Sequence, residues 1–249
     1  MYFNDVHILI YVAAAVIGLL SGKIADIASG KMITKQKFFS RDFWKPAIQY
    51  KPNYFLPIIN AIINIVIVYT FGIGKTFLTN LNLIKYAILT PLLLCVFLID
   101  YREQIIPNRL NLTIFEIGVI LLFAAGIFNV NIAIDKILGM LVGGGIFLLI
   151  TLIGGLIAGK EAMGFGDVKL MTGLGLFFGF TNIIMVTLVA FLLGAVISII
   201  LLATKVKKTS EYIPFGPFIV IGCFIVMVVP FSTLLSLLVT IFSLGMIHI

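Results

Sequence analysis

The chain of 249 residues alternates long apolar runs with short segments that hold most of its charge. A helix needs about 20 apolar residues to cross the ~30 Å hydrocarbon core of a bilayer. Runs of that order occupy 5–22, 54–72, 84–99, 112–128, 136–158, 168–181, 183–204 and 215–245. Composition removes the soluble alternative. The chain is 61% hydrophobic and 11% charged, whereas soluble domains carry about 25% charged residues and roughly half apolar ones. A soluble core of this size cannot absorb the surplus, so lipid is the solvent for most of the chain. The expected fold class is an all-α polytopic membrane protein of about eight transmembrane helices.

The positive charge is distributed as a membrane topology requires. Segments 23–53, 100–111, 159–169 and 205–214 carry seven, two, two and three Lys/Arg, and the alternate segments hold only Lys75, Lys85 and Lys136. The positive-inside rule places the first set in the cytoplasm and both termini outside. The net charge of +7 therefore reflects topology and anionic lipid, and no nucleic-acid partner is expected. The first run is preceded by Asp5 and followed by Lys23, the reverse of a cleaved signal peptide. Three regions follow: a first transmembrane helix over 1–22, a basic cytoplasmic loop over 23–53 with Phe38, Phe39, Phe43 and Trp44, and a helical core over 54–249. The shortest run, 168–181, would extend only ~20 Å as a helix and is read as a short full crossing. Pairs of small residues four apart (Gly18/Gly22, Gly139/Gly143, Gly155/Gly159, Gly175/Gly179) point to close helix packing. Cys95 and Cys223 both lie in apolar runs and form no CxxC pair, so neither a zinc site nor a disulfide framework is indicated.

Ionisable residues near the bilayer are costly and mark function by default. Asp100, Glu116, Glu161 and Asp167 are the acids in that position. Asp100 ends an apolar run and opens Asp100-Tyr-Arg-Glu-Gln-Ile-Ile-Pro107-Asn108; Asp167 follows Gly164-Phe-Gly166 and opens the next run. Each alone reads equally well as a helix-terminal acid. Together, both fall at cytoplasmic helix ends at similar depth. Peptide hydrolysis by carboxylates needs two of them, one accepting a proton from water while the other donates to the carbonyl oxygen. Adjacent carboxylates share one proton, which suits that work. The helix dipole favours negative charge on Asp167, at a helix start, over Asp100, at a helix end. Gly164 and Gly166 would permit close backbone approach and dihedrals closed to other residues, and an extended substrate could pair there. Lys169 and Glu161 are expected to support the site.

Three stretches resemble the type IV prepilin peptidases, membrane aspartic proteases of the GxGD type: Asp100 to Asn108; Glu161-Ala-Met-Gly-Phe-Gly-Asp167-Val-Lys-Leu; and Ile213-Pro-Phe-Gly-Pro-Phe218. Gly18-Leu-Leu-Ser-Gly22 is a weaker echo. The resemblance implies an aspartic endopeptidase in the bacterial cytoplasmic membrane. It would remove the basic leader of type IV prepilins and pseudopilins at the cytoplasmic face, with Asp100 and Asp167 as the catalytic pair. Gly164, Gly166, Lys169, Glu161, Glu103, Pro107 and Asn108 are then expected to support the site. Proteolysis implies no metal or other cofactor. Many members also methylate the new N-terminus with S-adenosylmethionine, and many hold zinc through four cysteines in the first cytoplasmic loop. Residues 23–53 contain no cysteine, so no zinc is expected, and Asn60 stands where the family carries an acid. Two rivals remain. A presenilin or signal-peptide-peptidase-like protease shares Gly-x-Gly-Asp but has its tyrosine before the first aspartate, whereas Tyr101 follows Asp100. A cation-coupled transporter would place such acids near the bilayer midplane in broken helices.

Overall fold

The computed structural model describes residues 2–3, 6–33, 53–74, 76–158, 163–204 and 213–243. A two-residue antiparallel pair, β1 (Tyr2–Phe3) and β2 (Val6–His7), precedes eight helices: α1 (Ile8–Ile33), α2 (Phe55–Phe71), α3 (Phe77–Glu103), α4 (Asn108–Gly126), α5 (Val130–Ala158), α6 (Phe165–Ala203), α7 (Gly216–Val228) and α8 (Phe231–Phe242). Among the described residues, α1, α3, α4, α5 and α6 are each long and apolar enough to cross a membrane, and α7 with α8 adds a sixth such unit. This is the expected all-α polytopic architecture. Helix α3, the first half of α6 and α7 form the core: Leu89, Leu93, Leu170, Met171, Leu174, Ile219 and Cys223 are fully buried. The large apolar side chains of α1, α4 and α5 remain exposed on their outer faces, as lipid-facing helices require.

Two breaks in the apolar helices shape the bundle. Runs 168–181 and 183–204 form the two arms of α6, which are separated at Gly179, where φ 78° and ψ 179° break the helix. The chain reverses there. A Cβ on Gly143 of α5 would lie 2.7 Å from the Met171 carbonyl oxygen and 2.9 Å from the Ile183 side chain. Twelve residues of straight helix would put Met171 and Ile183 ~18 Å apart. Both arms of α6 therefore lie along α5. The break frees backbone groups that lipid cannot satisfy, and side chains take them up. The Phe177 carbonyl accepts from Lys85 Nζ (2.9 Å) and Lys136 Nζ (3.1 Å), and the Phe180 N–H donates to Asp135 Oδ1 (3.1 Å). Lys85, counted above among outer-segment charges, is in fact buried within α3. The second break, which departs from the expected single run, is at 215–245, where Val229 turns extended before Pro230 and α7 and α8 meet at 117°. One straight crossing is replaced by a bent pair.

Helix α1 runs on to Ile33, past the end expected at residue 22. Its inner end is packed against protein, with Ala25, Asp26, Ser29 and Lys31 buried. Asp26 accepts the Asn53 N–H through both carboxyl oxygens (3.1 and 3.2 Å), which ties the start of α2 to α1. Three of the four glycine pairs read from the sequence are helix contacts. A Cβ on Gly18 or Gly22 would sit 2.6 Å from the Cα of Ala61 or Pro57 on α2. On α5 and α6, Gly139 and Gly175 meet backbone to backbone. Gly159, with most of the 23–53 loop including Trp44, lies outside the described residues.

Gly175→Ala should destabilise the fold by about 1–3 kcal/mol, since no flexible side chain can yield, and lower the thermal midpoint in detergent. Gly145→Ala, which faces open space, should leave the midpoint unchanged or raise it through helix propensity. Equal effects would contradict the α5–α6 contact.

Candidate active site

Asp100 occupies the last turn of α3. The helix ends because Gln104 turns into the left-handed region (φ 55°), with its N–H on the Asp100 carbonyl (2.9 Å). A non-glycine residue there is a strained position. The Asp100 side chain is 3% exposed, and its Oδ2 accepts the Gly216 N–H at 2.9 Å. Gly216 is the first residue of α7, so a helix N-terminus faces the carboxyl. Only glycine fits: a Cβ at 216 would lie 2.6 Å from Asp100 Oδ2 and 3.0 Å from its Cγ. This is the physical content of the Ile213–Phe218 motif, whose sequence was legible while its contact with Asp100 was not.

Asp167 lies in the first turn of α6, with its N–H on the Gly164 carbonyl (3.0 Å). It too is 3% exposed. Gly164 caps α6 in an ordinary extended conformation (φ −66°, ψ 136°), and Gly166 is helical, so neither glycine uses the dihedrals closed to other residues. Gly166 serves close approach instead. A Cβ there would come within 3.3 Å of Ile106 Cβ, and its carbonyl accepts Asn111 Nδ2 at 3.0 Å.

The two aspartates line one cavity of about 550 Å³ and interact electrostatically. Glu103, Asn108, Gly164, Gly166 and Lys169 also line it, as do Gln104 and Met163, which the sequence did not single out. Lys169 Nζ donates to Asn108 Oδ1 at 2.8 Å, bridging α6 to α4. Pro107 stands at the start of α4, where its carbonyl accepts the N–H groups of Leu110 and Asn111. Glu161 lies outside the described residues. Glu116 is exposed on α4 and does not line the cavity. Among the described residues, no cluster of three or more His, Cys, Asp or Glu could hold a metal ion. The arrangement is two buried carboxyls at helix termini, one held by a backbone donor, facing a space large enough for water and an extended peptide.

Residues 87–199 match the type IV leader peptidase family model, a stretch that contains both aspartates. The chain is 29% identical over 149 residues to the prepilin leader peptidase/N-methyltransferase of Pectobacterium carotovorum subsp. carotovorum, covering 60% of this chain and 52% of that protein. It is 30% identical over 135 residues to that of Aeromonas hydrophila, covering 54% and 46%. It is 33% identical over 140 residues to that of Pseudomonas aeruginosa, again covering 54% and 46%. The chain thus spans about half the length of the curated relatives it matches. No solved structure matches it.

The Gly216–Asp100 contact predicts non-additivity. Gly216→Ala should cost about 1–3 kcal/mol by displacing a buried carboxyl from its donor, and clearly less in an Asp100→Ala background, where the collision is gone. A double-mutant cycle read by denaturation in detergent measures the difference. Equal costs in both backgrounds would contradict the contact.

Proposed function

We propose that this chain, which carries the type IV leader peptidase family's sequence over residues 87–199, cleaves the leader peptide from prepilins or pseudopilins at the cytoplasmic face of the bacterial membrane. The observation that carries the reading is the burial of Asp100 and Asp167 on one cavity. A water between the carboxyls loses a proton to the ionised one as its oxygen bonds to the scissile carbonyl carbon, while the protonated one donates to the carbonyl oxygen. The resulting diol collapses: the newly protonated carboxyl gives its proton to the amide nitrogen, the other carboxylate takes one from a diol hydroxyl as the carbonyl re-forms, and the C–N bond breaks, which leaves the pair singly protonated. The difference in helix dipole expected between the two aspartates is offset in this geometry. Asp167 sits in the first turn of α6 and Asp100 faces the first residue of α7, so each meets a helix N-terminus. Both can therefore serve in turn as base and acid.

Glu103 is exposed at the rim of the cavity, where it can attract the basic residues of a leader. Lys169, bonded to Asn108, supports the wall and takes no proton in this scheme. Both aspartates stand at helix termini, which favours this reading over a transporter with acids in broken mid-membrane helices. Tyr101 is exposed and follows Asp100, which sets the site apart from the presenilin pattern.

Methyl transfer from S-adenosylmethionine rests on the relatives' printed names. The donor would methylate the amine that cleavage exposes. Asn60 stands where the family carries an acid. Asn60 is fully buried between α1 and α2, its amide donating to the Gly18 carbonyl (2.7 Å) and Ser21 Oγ (2.9 Å). Its Oδ1 is left without a hydrogen-bond partner, but the residue is sealed between the two helices at 0% exposure and offers the donor no surface.

Asp100→Asn and Asp167→Asn should each abolish cleavage of a prepilin in membranes while leaving the helical fold intact. Mass spectrometry of the pilin N-terminus, with and without S-adenosylmethionine, reads cleavage and methylation together. Wild-type-like cleavage by either variant would overturn the two-carboxyl mechanism.

A further inference from the structure

Asn111 is buried in the first turn of α4, 4% exposed and surrounded in sequence by the apolar Leu110, Leu112 and Ile114. Its Nδ2 donates to the Gly166 carbonyl, while its Oδ1 is buried with no hydrogen-bond partner. A buried acceptor left unpaired costs folding free energy, and an apolar group of the same shape would remove that cost. The Gly166 carbonyl, in the first turn of α6, is also positioned to accept the N–H four residues on, so the fold does not need Asn111 to satisfy it. A residue that the fold would do better without, one bond from the residue preceding Asp167, calls for a reason in the site.

We infer that Asn111 is a positioning residue for Asp167, retained at a cost in stability. It rests on the proposed two-aspartate hydrolysis. Gly166 is gripped from two sides by the segment that follows Asp100: Ile106 packs against its Cα, which a side chain would crowd, and Asn111 holds its carbonyl. Asn111 is itself fixed by its N–H on the Pro107 carbonyl (3.2 Å). The position of Asp167 relative to Asp100 is thereby set through a short covalent path, Asp100 to Asn111, and one hydrogen bond. Lys169 and Asn108 make a second cross-link between the same helices, but on an exposed face and beyond Asp167, so it cannot substitute for a grip on the preceding residue.

Asn111→Leu separates positioning from structure. In the full chain in lipid, the thermal midpoint should stay level or rise. At the same time kcat for prepilin cleavage should fall at least about tenfold, with KM within about twofold, because a misplaced carboxyl slows the chemical step and leaves binding intact. The infrared carboxyl band assigned to Asp167, by its loss in Asp167→Asn, should shift in Asn111→Leu and not in Ile120→Ala. Asn111→Ala serves as the second variant should leucine misfold, with the same kcat and band changes expected. A lowered midpoint with unchanged kcat, or an unshifted Asp167 band in both variants, would overturn the inference. The band can be read even if the wild-type chain cleaves no prepilin, so failure of the proposed activity and failure of the positioning role are told apart.

Discussion

Inside a bilayer a backbone group has no water to turn to, and the form of this protein follows from how it meets that constraint wherever a helix stops or breaks. At Gly179 the freed groups are taken up by Lys85, Lys136 and Asp135. Those three side chains allow α6 to double back and present two arms to α5. At the other end of the bundle α3 stops at Glu103 and α7 starts at Gly216, and here the first N–H of α7 finds its partner in Asp100. The same rule that elsewhere produces structural caps thus places a carboxyl in the protein interior, against a backbone donor that a side chain would displace.

The two halves of the site are joined in a reciprocal way. Asp100 is held by α7, and the segment that follows it grips the residue before Asp167. Asp167 in turn starts the short arm of α6, whose depth is fixed at its far end by the capped break at Gly179. A carboxyl pair assembled on helix termini is rigid at the backbone yet bordered by the exposed Gln104–Ile106 turn.

Much of this was legible from residue order. Hydropathy located the apolar runs, and the two aspartate motifs named the acids that the fold brings to one cavity. What hydropathy missed has a common cause: it reads exposure to lipid, not contact with protein. The inner end of α1 carries Asp26 and Lys31 and so looked like loop, yet it is helix because protein covers it. Lys85 looked like an outer charge and is buried because the Phe177 carbonyl needs it. Pro230 stood in view, but an unbroken apolar run concealed a 117° bend. The roles of Gly216 and Asn111 arise from meetings across 116 and 55 residues of chain, and no local pattern encodes either one.

The central claim is that Asp100 and Asp167 face each other in one site at one end of the bundle. It is tested most directly by Asp100→Cys with Asp167→Cys, in a chain whose buried Cys95 and Cys223 are replaced, treated with a short thiol cross-linker. A protease site placed in segment 159–162 reports the bridge on a gel. The account predicts that the two fragments stay joined after cutting, and that Cys replacements of Asp135 and Asp167, at opposite ends of α6's first arm, do not join. Fragments that separate in the first case, or join equally in both, would contradict it.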